Sequence, residues 1–279
     1  MNTQVDALIR LALEEDIGTG DRTTLATIPA DSVCRAHVLA KSDVVVAGMP
    51  YFRRVFECLD PKVEVQGIVE EGQRVETGTS IAELQGPTRS ILTGERVALN
   101  ILQRLTGVAT MTRRYAEALN GTSTKVVDTR KTTPGMRTMQ KYAVRIGGGS
   151  NHRFGLDSGI LVKDNHIAAC GSLTLAVERV RKESPHLLRI EVETKTLAEV
   201  DEAISCGADV ILLDNMSLDL LKDAVGRVKS SGKAILTEAS GNVTLARIRM
   251  LAGTGVDFIS VGALTHSVTA ADLSLKVLP

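Results

Sequence analysis

The sequence predicts a mixed α/β chain: an incomplete, about six-stranded α/β barrel preceded by an N-terminal α+β open-sandwich domain. Three observations carry this. Strand-like and helix-like segments alternate from Val126 onward, successive strand-like runs end in polar residues, and about the first hundred residues lack that rhythm. The division is expected at 1–106 and 107–266, with the tail 267–279 packing back on the first domain.

Within the first domain, MNTQVDALIRLALEED reads as an amphipathic helix, too polar for a signal peptide or a membrane span. Val33 to Ala40 and Val44 to Ala47 read as antiparallel strands, and Pro50 to Cys58 as a helix. Lys62 to Leu84 reads as short strands broken at Glu71-Gly72 and Thr77-Gly78. The turn pattern of Ile68 to Leu84 is also that of lipoyl or biotinyl carrier hairpins, but no lysine stands between Lys62 and Arg89 to accept such a group. A long helix from Gly94 to Leu119 follows from Val97, Ile101, Leu105, Val108 and Met111, which recur at three- and four-residue steps. Arg96 near its start is unfavourable for the helix dipole, which points to a ligand or partner role.

The barrel strands are expected at Lys125 to Val127, Gly159 to Val162, Leu188 to Val192, Asp209 to Leu213, Ala234 to Leu236 and Val256 to Val261. Helices are expected at Leu173 to Lys182, Leu197 to Cys206, Leu218 to Lys229 and Val243 to Leu251. Strands alternating with helices imply a parallel sheet with right-handed crossovers, and such sheets place their chemistry at the C-terminal strand ends. Those ends read Asp128-Thr129-Arg130-Lys131, Lys163-Asp164-Asn165-His166, Glu193, Asp214-Asn215, Glu238 to Asn242, and Gly262.

Charge sharpens the reading. The chain has 33 basic and 33 acidic residues, yet between Asp128 and His166 seven Lys/Arg face three acids. Arg130, Lys131, Arg137, Lys141, Arg145, Arg153 and Lys163 surround Gly147-Gly148-Gly149, where backbone could approach a ligand. A local cationic cluster in a neutral chain suits a small polyanion, because Arg and Lys grip carboxylate or phosphate. A solvated basic face is the plain alternative. Neutral net charge and 3% aromatic content without Trp argue against nucleic acid as the main partner, and no stretch is long enough for a membrane. Cys34, Cys58, Cys170 and Cys206 have no metal spacing and read as reduced thiols of a cytoplasmic protein.

The ordered motifs are specific. Asp128-Thr129-Arg130-Lys131-Thr132, Gly147 to Arg153, Lys163 to His166, Glu191-Val192-Glu193, Leu212 to Asn215, Ala239 to Asn242 and Val261 to Ser267 together resemble the signatures of quinolinate phosphoribosyltransferases. Glu14-Asp16-Ile17-Gly18 and Gly94 to Asn100 are similar to the same family, also called carboxylating nicotinate-nucleotide pyrophosphorylases. The resemblance implies phosphoribosyl transfer from phosphoribosyl pyrophosphate to quinolinate with decarboxylation, giving nicotinate mononucleotide, pyrophosphate and CO2 in NAD biosynthesis. It puts Thr129, Arg130, His152, Arg153 and Lys163 around quinolinate, with Arg96 donated by the other subunit of a homodimer, which could assemble further. Lys131, Glu193 and Asp214 are the implied catalytic residues. Lys131, Glu193, Asp214, Asn215, Ser240, Gly241, Asn242, Gly262 and His266 would meet phosphoribosyl pyrophosphate, and Glu193 and Asp214 would hold Mg2+, directly or through water. Three other readings stay open at this stage: the related phosphoribosyltransferase-like proteins of molybdenum-transport operons, a barrel aldolase using Lys163 as a Schiff-base amine, and a noncatalytic phosphate-binding barrel.

Overall fold

A computed structural model of the protein describes residues 3–278. In chain order its first elements are α1 (Thr3–Ile17), α2 (Arg22–Thr27), β1 (Val33–Ala40), β2 (Val44–Val45), α3 (Met49–Leu59), β3 (Glu64–Gly67), β4 (Arg74–Val75) and β5 (Ser80–Pro87). Then come α4 (Thr88–Ala118), β6 (Lys125–Val127), α5 (Arg137–Ile146), β7 (Ile160–Val162), α6 (Asp164–Cys170), α7 (Leu173–Glu183), β8 (Ile190–Thr194) and α8 (Leu197–Ser205). The last are β9 (Val210–Asp214), α9 (Leu218–Ser230), β10 (Leu236–Ser240), α10 (Leu245–Ala252), β11 (Phe258–Ser260), α11 (Ala263–His266) and β12 (Leu273–Val277). The chain divides into two compact units.

The first unit comprises the chain up to Arg113, Thr132–Gly148, and the chain from Ala263 onward. Its main sheet has the order β12-β1-β5-β3, all neighbours antiparallel. Alternation along β1 buries Ala36, Val38 and Ala40, while Arg35 and His37 on the other face meet Glu83 of β5 at 3.2 and 3.9 Å. Helix α1 buries Val5, Ile9 and Leu13 at four-residue steps, and its Asp6 takes two 2.9 Å hydrogen bonds from Arg54 of α3. The start of α3 has no side-chain cap of its own. Glu71 supplies the missing acceptor, taking the N–H groups of Gly48 and Met49 at 3.0 and 2.7 Å, and Tyr142 donates its hydroxyl to the same carboxylate at 2.9 Å.

Helix α4 is buried along Leu99, Leu102, Leu105 and Val108. Two hydroxyls on it, Thr106 and Thr110, accept the N–H groups of Ala47 and Val45, so the edge of β2 is satisfied by side chains. The helix begins six residues before the expected Gly94, which puts Arg96 in its interior and removes the helix-dipole argument made for it. Gly147 is likewise explained by packing: a Cβ there would lie 2.6 Å from the Ala109 carbonyl, so α5 closes onto α4 only through a glycine.

The second unit comprises Arg114–Lys131 and Gly149–Gly262. It holds a six-stranded parallel sheet in the order β6-β11-β10-β9-β8-β7. Among the described residues β6 and β7 do not pair, so the barrel is open, as the six apolar runs imply. Carboxylates near the strand starts fix the register: Asp209 accepts the Ile190 N–H and Asp257 the Thr237 N–H, each at 2.8 Å. Ser172, Thr196 and Ser217 cap the helices between strands, Thr196 with Glu199 as a reciprocal box.

Two expectations move. The strand expected at Ala234 to Leu236 is Leu236–Ser240, because Asp257 pins Thr237 into the sheet, and Glu238 therefore lies within the strand. Helices α5 and α6 were not expected: α5 buries Gln140 and Lys141 beside its apolar residues, which blurs its period, and α6 follows directly on a polar strand end.

Candidate active site

One face of the parallel sheet carries acids. In the observed register Leu161, Glu191 and Val210 lie side by side, and above them Glu193, Leu212, Glu238 and Phe258. Asp214 then pairs with Ser240 at the strand ends. Side chains alternate along strands, so Glu191 and Glu193 share a face, as do Leu212 and Asp214, and Glu238 and Ser240. Over that face opens a cavity of about 300 Å3 lined by Thr129, Arg130, Lys131, His152, Arg153, Leu161, Lys163, Leu212, Glu238, Ser240 and Ser260.

The cations are held from below. Segment 149–153 runs beside β6, with the Ser150 N–H on the Val126 carbonyl at 2.9 Å. Fully buried Asp128 receives the His152 N–H at 2.9 Å and the Asn151 side-chain amide at 2.6 Å. The His152 ring is committed at both nitrogens: Nδ1 accepts the Arg153 backbone N–H at 2.8 Å, while Nε2 lies 2.9 Å from Glu191 and 3.6 Å from Glu238. Arg153 donates Nη1 to the Gly159 carbonyl at 3.0 Å, and Lys163 reaches Glu193 at 3.0 Å. The Thr129 hydroxyl accepts the Lys131 N–H at 3.0 Å, bending the chain after β6.

This arrangement shifts protonation. Burial, and then the nearby Arg130 guanidinium, push Arg153 below the usual arginine range, and Glu191 opposes them. Burial and then Glu191 push Glu238 up to about 7, with His152 opposing. A carboxyl that retains its proton near neutrality beside a cationic cavity is a candidate for chemistry.

Of the expected site residues, Thr129, Arg130, Lys131, His152, Arg153, Lys163 and Ser240 line this one cavity, and Glu193 joins them through Lys163. Arg137, Lys141 and Arg145 of the cationic cluster belong instead to α5 in the first unit, so the local charge excess divides between two places. Asp214, Asn215, Gly241 and Asn242 gather at the ends of β9 and β10. The Asn215 N–H bonds the Ser240 carbonyl at 2.9 Å, and Asn242 donates to the Asn215 side chain at 3.1 Å. Asn215 and Asn242 have φ of 53° and 47°, strained values for non-glycine residues. A Cβ on Gly241 would stand 2.1 Å from Asn215 Oδ1. Gly262 follows β11, His266 ends α11 in the first unit beside Ser267, and Arg96 is a 58% exposed side chain of α4. Glu191, Glu238 and Ser260 were not singled out from the sequence as site residues. The available signal was a glutamate at alternate positions inside apolar strand runs.

Family models agree with this layout. The model for the quinolinate phosphoribosyl transferase N-terminal domain matches residues 21–106, and that for the C-terminal domain matches 108–276. The chain belongs to the quinolinate phosphoribosyl transferase family. It is 47% identical over 274 residues to a Synechocystis protein named "Probable nicotinate-nucleotide pyrophosphorylase [carboxylating]", covering 98% of this chain and 92% of that one. It is 43% identical over 290 residues to the chloroplastic nicotinate-nucleotide pyrophosphorylase [carboxylating] of Arabidopsis thaliana, covering 97% and 82%. The solved nicotinate-nucleotide pyrophosphorylase of Francisella tularensis superposes with a TM-score of 0.94 at 40% identity, covering 100% of this chain and 97% of that one.

Proposed function

We propose that this protein transfers the phosphoribosyl group of phosphoribosyl pyrophosphate to the ring nitrogen of quinolinate, releasing pyrophosphate and CO2 and yielding nicotinate mononucleotide for NAD biosynthesis. The observation that carries the reading is the convergence of Arg130, Lys131, Arg153 and Lys163 on one cavity beside Glu193. A rigid 2,3-dicarboxylate needs several fixed cationic donors, each charge-assisted hydrogen bond contributing about 1.5 to 3 kcal/mol. Arg130, Arg153 and Lys163, with Thr129, would hold the two carboxylates, and His152 would fix the backbone of Arg153. Lys163 faces Glu193 as an ion pair, which suits an ammonium that binds anions better than a neutral Schiff-base amine.

On the sugar side, Lys131, Glu193 and Asp214 would act on the ribose and its leaving group. Asn215, Ser240, Gly241, Asn242, Gly262 and His266 would receive the phosphates. Positive charge develops on the ribose as pyrophosphate departs, and the carboxylates of Glu193 and Asp214 would stabilise it. Glu193 Oε2 is taken by Lys163 and Asp214 Oδ2 by Asn215, so the second oxygen of each suits a hard cation that keeps its waters. Mg2+ held there would neutralise charge on the diphosphate. Once the ring nitrogen is quaternary its positive charge stabilises the electron pair left on the adjacent C2, so transfer precedes loss of CO2.

The protein is read as a cytoplasmic homodimer in which Arg96, exposed on α4, completes the partner's pocket. Mixing inactive Arg96→Ala and Lys163→Ala chains should restore about a quarter of full activity, as one site per mixed dimer is intact. No recovery would remove the shared site. The reaction itself is tested by incubating protein, quinolinate, phosphoribosyl pyrophosphate and Mg2+ and measuring nicotinate mononucleotide, with nicotinate as competing acceptor. Product from nicotinate alone, or CO2 from quinolinate without phosphoribosyl pyrophosphate, would overturn it.

A further inference from the structure

Beside the cationic cavity His152 meets two acids that the reaction described above does not use, Glu191 and Glu238, and the ligand-type atoms of the three all lie within 4.8 Å of one another. Such a trio could hold a metal ion, and Glu191 Oε1 and Glu238 Oε1 are buried without hydrogen-bond partners. The imidazole argues against metal. Its Nδ1 accepts the Arg153 N–H, so the ring proton sits on Nε2, the atom facing both carboxylates, and a protonated nitrogen cannot ligate.

With the metal excluded, the cluster sets two carboxyl groups at close range in a dry place beside a single imidazole. Glu191 is 6% and Glu238 4% exposed. Two ionised carboxylates under those conditions are untenable, and one proton must stay. The imidazole Nε2 takes the shorter contact with Glu191, 2.9 Å against 3.6 Å, and Glu238 is the more deeply buried, so the proton stays on Glu238. Glu238 is also the one acid among the residues lining the cavity. As a carboxylate it would repel a dicarboxylate substrate; as a carboxylic acid it is a donor.

We propose that Glu238 is the acid of the decarboxylation half of the reaction, giving its proton to the pyridine carbon that CO2 has left. The inference rests on the functional reading above. The bond from C2 to the departing carboxylate breaks, its electron pair stays on C2, and that pair takes the proton from the Glu238 carboxyl group, leaving a carboxylate. A second cavity of about 300 Å3 shares His152 and Arg153 with the first and is lined by Glu191, the carboxylate beside Glu238, and solvent entering it restores the proton across that wall. The groups facing Glu238 are Glu191 from β8, His152 and Asp128 from the β6 side, and Ser260 from β11. The adjoining strands place Leu212 and Phe258 at its register position.

The test uses the full chain with quinolinate labelled in its 2-carboxyl group, following pyrophosphate and CO2 separately in Glu238→Gln and Glu238→Asp. Glu238→Gln should release pyrophosphate within several-fold of the wild-type rate but CO2 about 100-fold more slowly, with the dicarboxylate nucleotide accumulating. Glu238→Asp, which keeps the acid, should recover part of the loss. The fall of the wild-type CO2 rate at alkaline pH should be absent from Glu238→Gln. CO2 release by Glu238→Gln at the wild-type rate, or equal losses of pyrophosphate and CO2 release in both variants, would overturn the proposal. So would Zn2+ or Mn2+ binding to wild-type protein that Glu238→Gln abolishes. Failure of the functional reading is separate: the wild-type protein would then make no nucleotide.

Discussion

Replacing Glu238 by Gln removes an ionisable group from the interior while keeping its shape. In the folded protein, burial and then Glu191 lift this carboxyl from 4.5 to about 7. By linkage, that rise corresponds to about 3 kcal/mol. The sign follows from which state binds more protons. Between about 4.5 and 7 the folded chain holds the proton and the unfolded chain does not. Stability is therefore undiminished below the lower value, falls as pH rises, and stays reduced above the upper one. A glutamine cannot lose a proton, so Glu238→Gln should gain on wild type by up to about 3 kcal/mol between pH 4.5 and pH 8. Urea titrations of both proteins across that range measure it through the midpoint at constant slope. A difference that stays flat with pH, or that shrinks as pH rises, would refute the argument that Glu238 holds its proton near neutrality.

Three further outcomes are expected. Arg153→Ala should weaken quinolinate binding by 10-fold or more, about 1.4 kcal/mol, with little change for phosphoribosyl pyrophosphate, read by equilibrium binding of each; equal losses would mean the two halves of the pocket are misassigned. Gly241→Ala, whose Cβ would stand 2.1 Å from Asn215 Oδ1 at a φ of +97°, should raise KM for phosphoribosyl pyrophosphate and leave quinolinate affinity intact; unchanged kinetics would remove the β9 and β10 turns from the phosphate site. Glu71→Ala strips the acceptor from the Gly48 and Met49 N–H groups and should lower stability by about 1 to 2 kcal/mol in denaturant titration; an unchanged midpoint would mean the start of α3 is satisfied without it.

The barrel was legible because its strands are apolar runs bounded by polar ends, and Asp128, Lys163, Glu193 and Asp214 were found by that contrast. Glu191 and Glu238 carry no assigned role in the sequence reading: Glu191 sits inside a strand, Glu238 stands there only as the start of a polar strand end, and their meeting depends on register. Two strands separated by β9 bring them to the same imidazole. Local sequence carries no such long-range pairing. The shift of β10 has the same origin: Leu236–Ser240 is polar at Thr237, Glu238 and Ser240, and the sheet is maintained there by Asp257, twenty residues on. The start of α4 differs from the expected Gly94 for another reason. Thr88 to Thr93 is polar enough to pass for a turn, and the helix claims it through burial of Thr88 and Ile91.

The pairing of β12 with β1 sets a constraint on biosynthesis. The edge of β1 from Ala36 to Ala40 is closed by Leu273–Val277, a strand made more than two hundred residues after it. Until then the nascent sheet carries an uncovered margin of unpaired backbone groups, a template for wrong partners. The second unit ends at Gly262 and awaits none of these residues. Deletion of Leu273–Val277 should therefore lower the soluble yield far more than its small share of the core suggests.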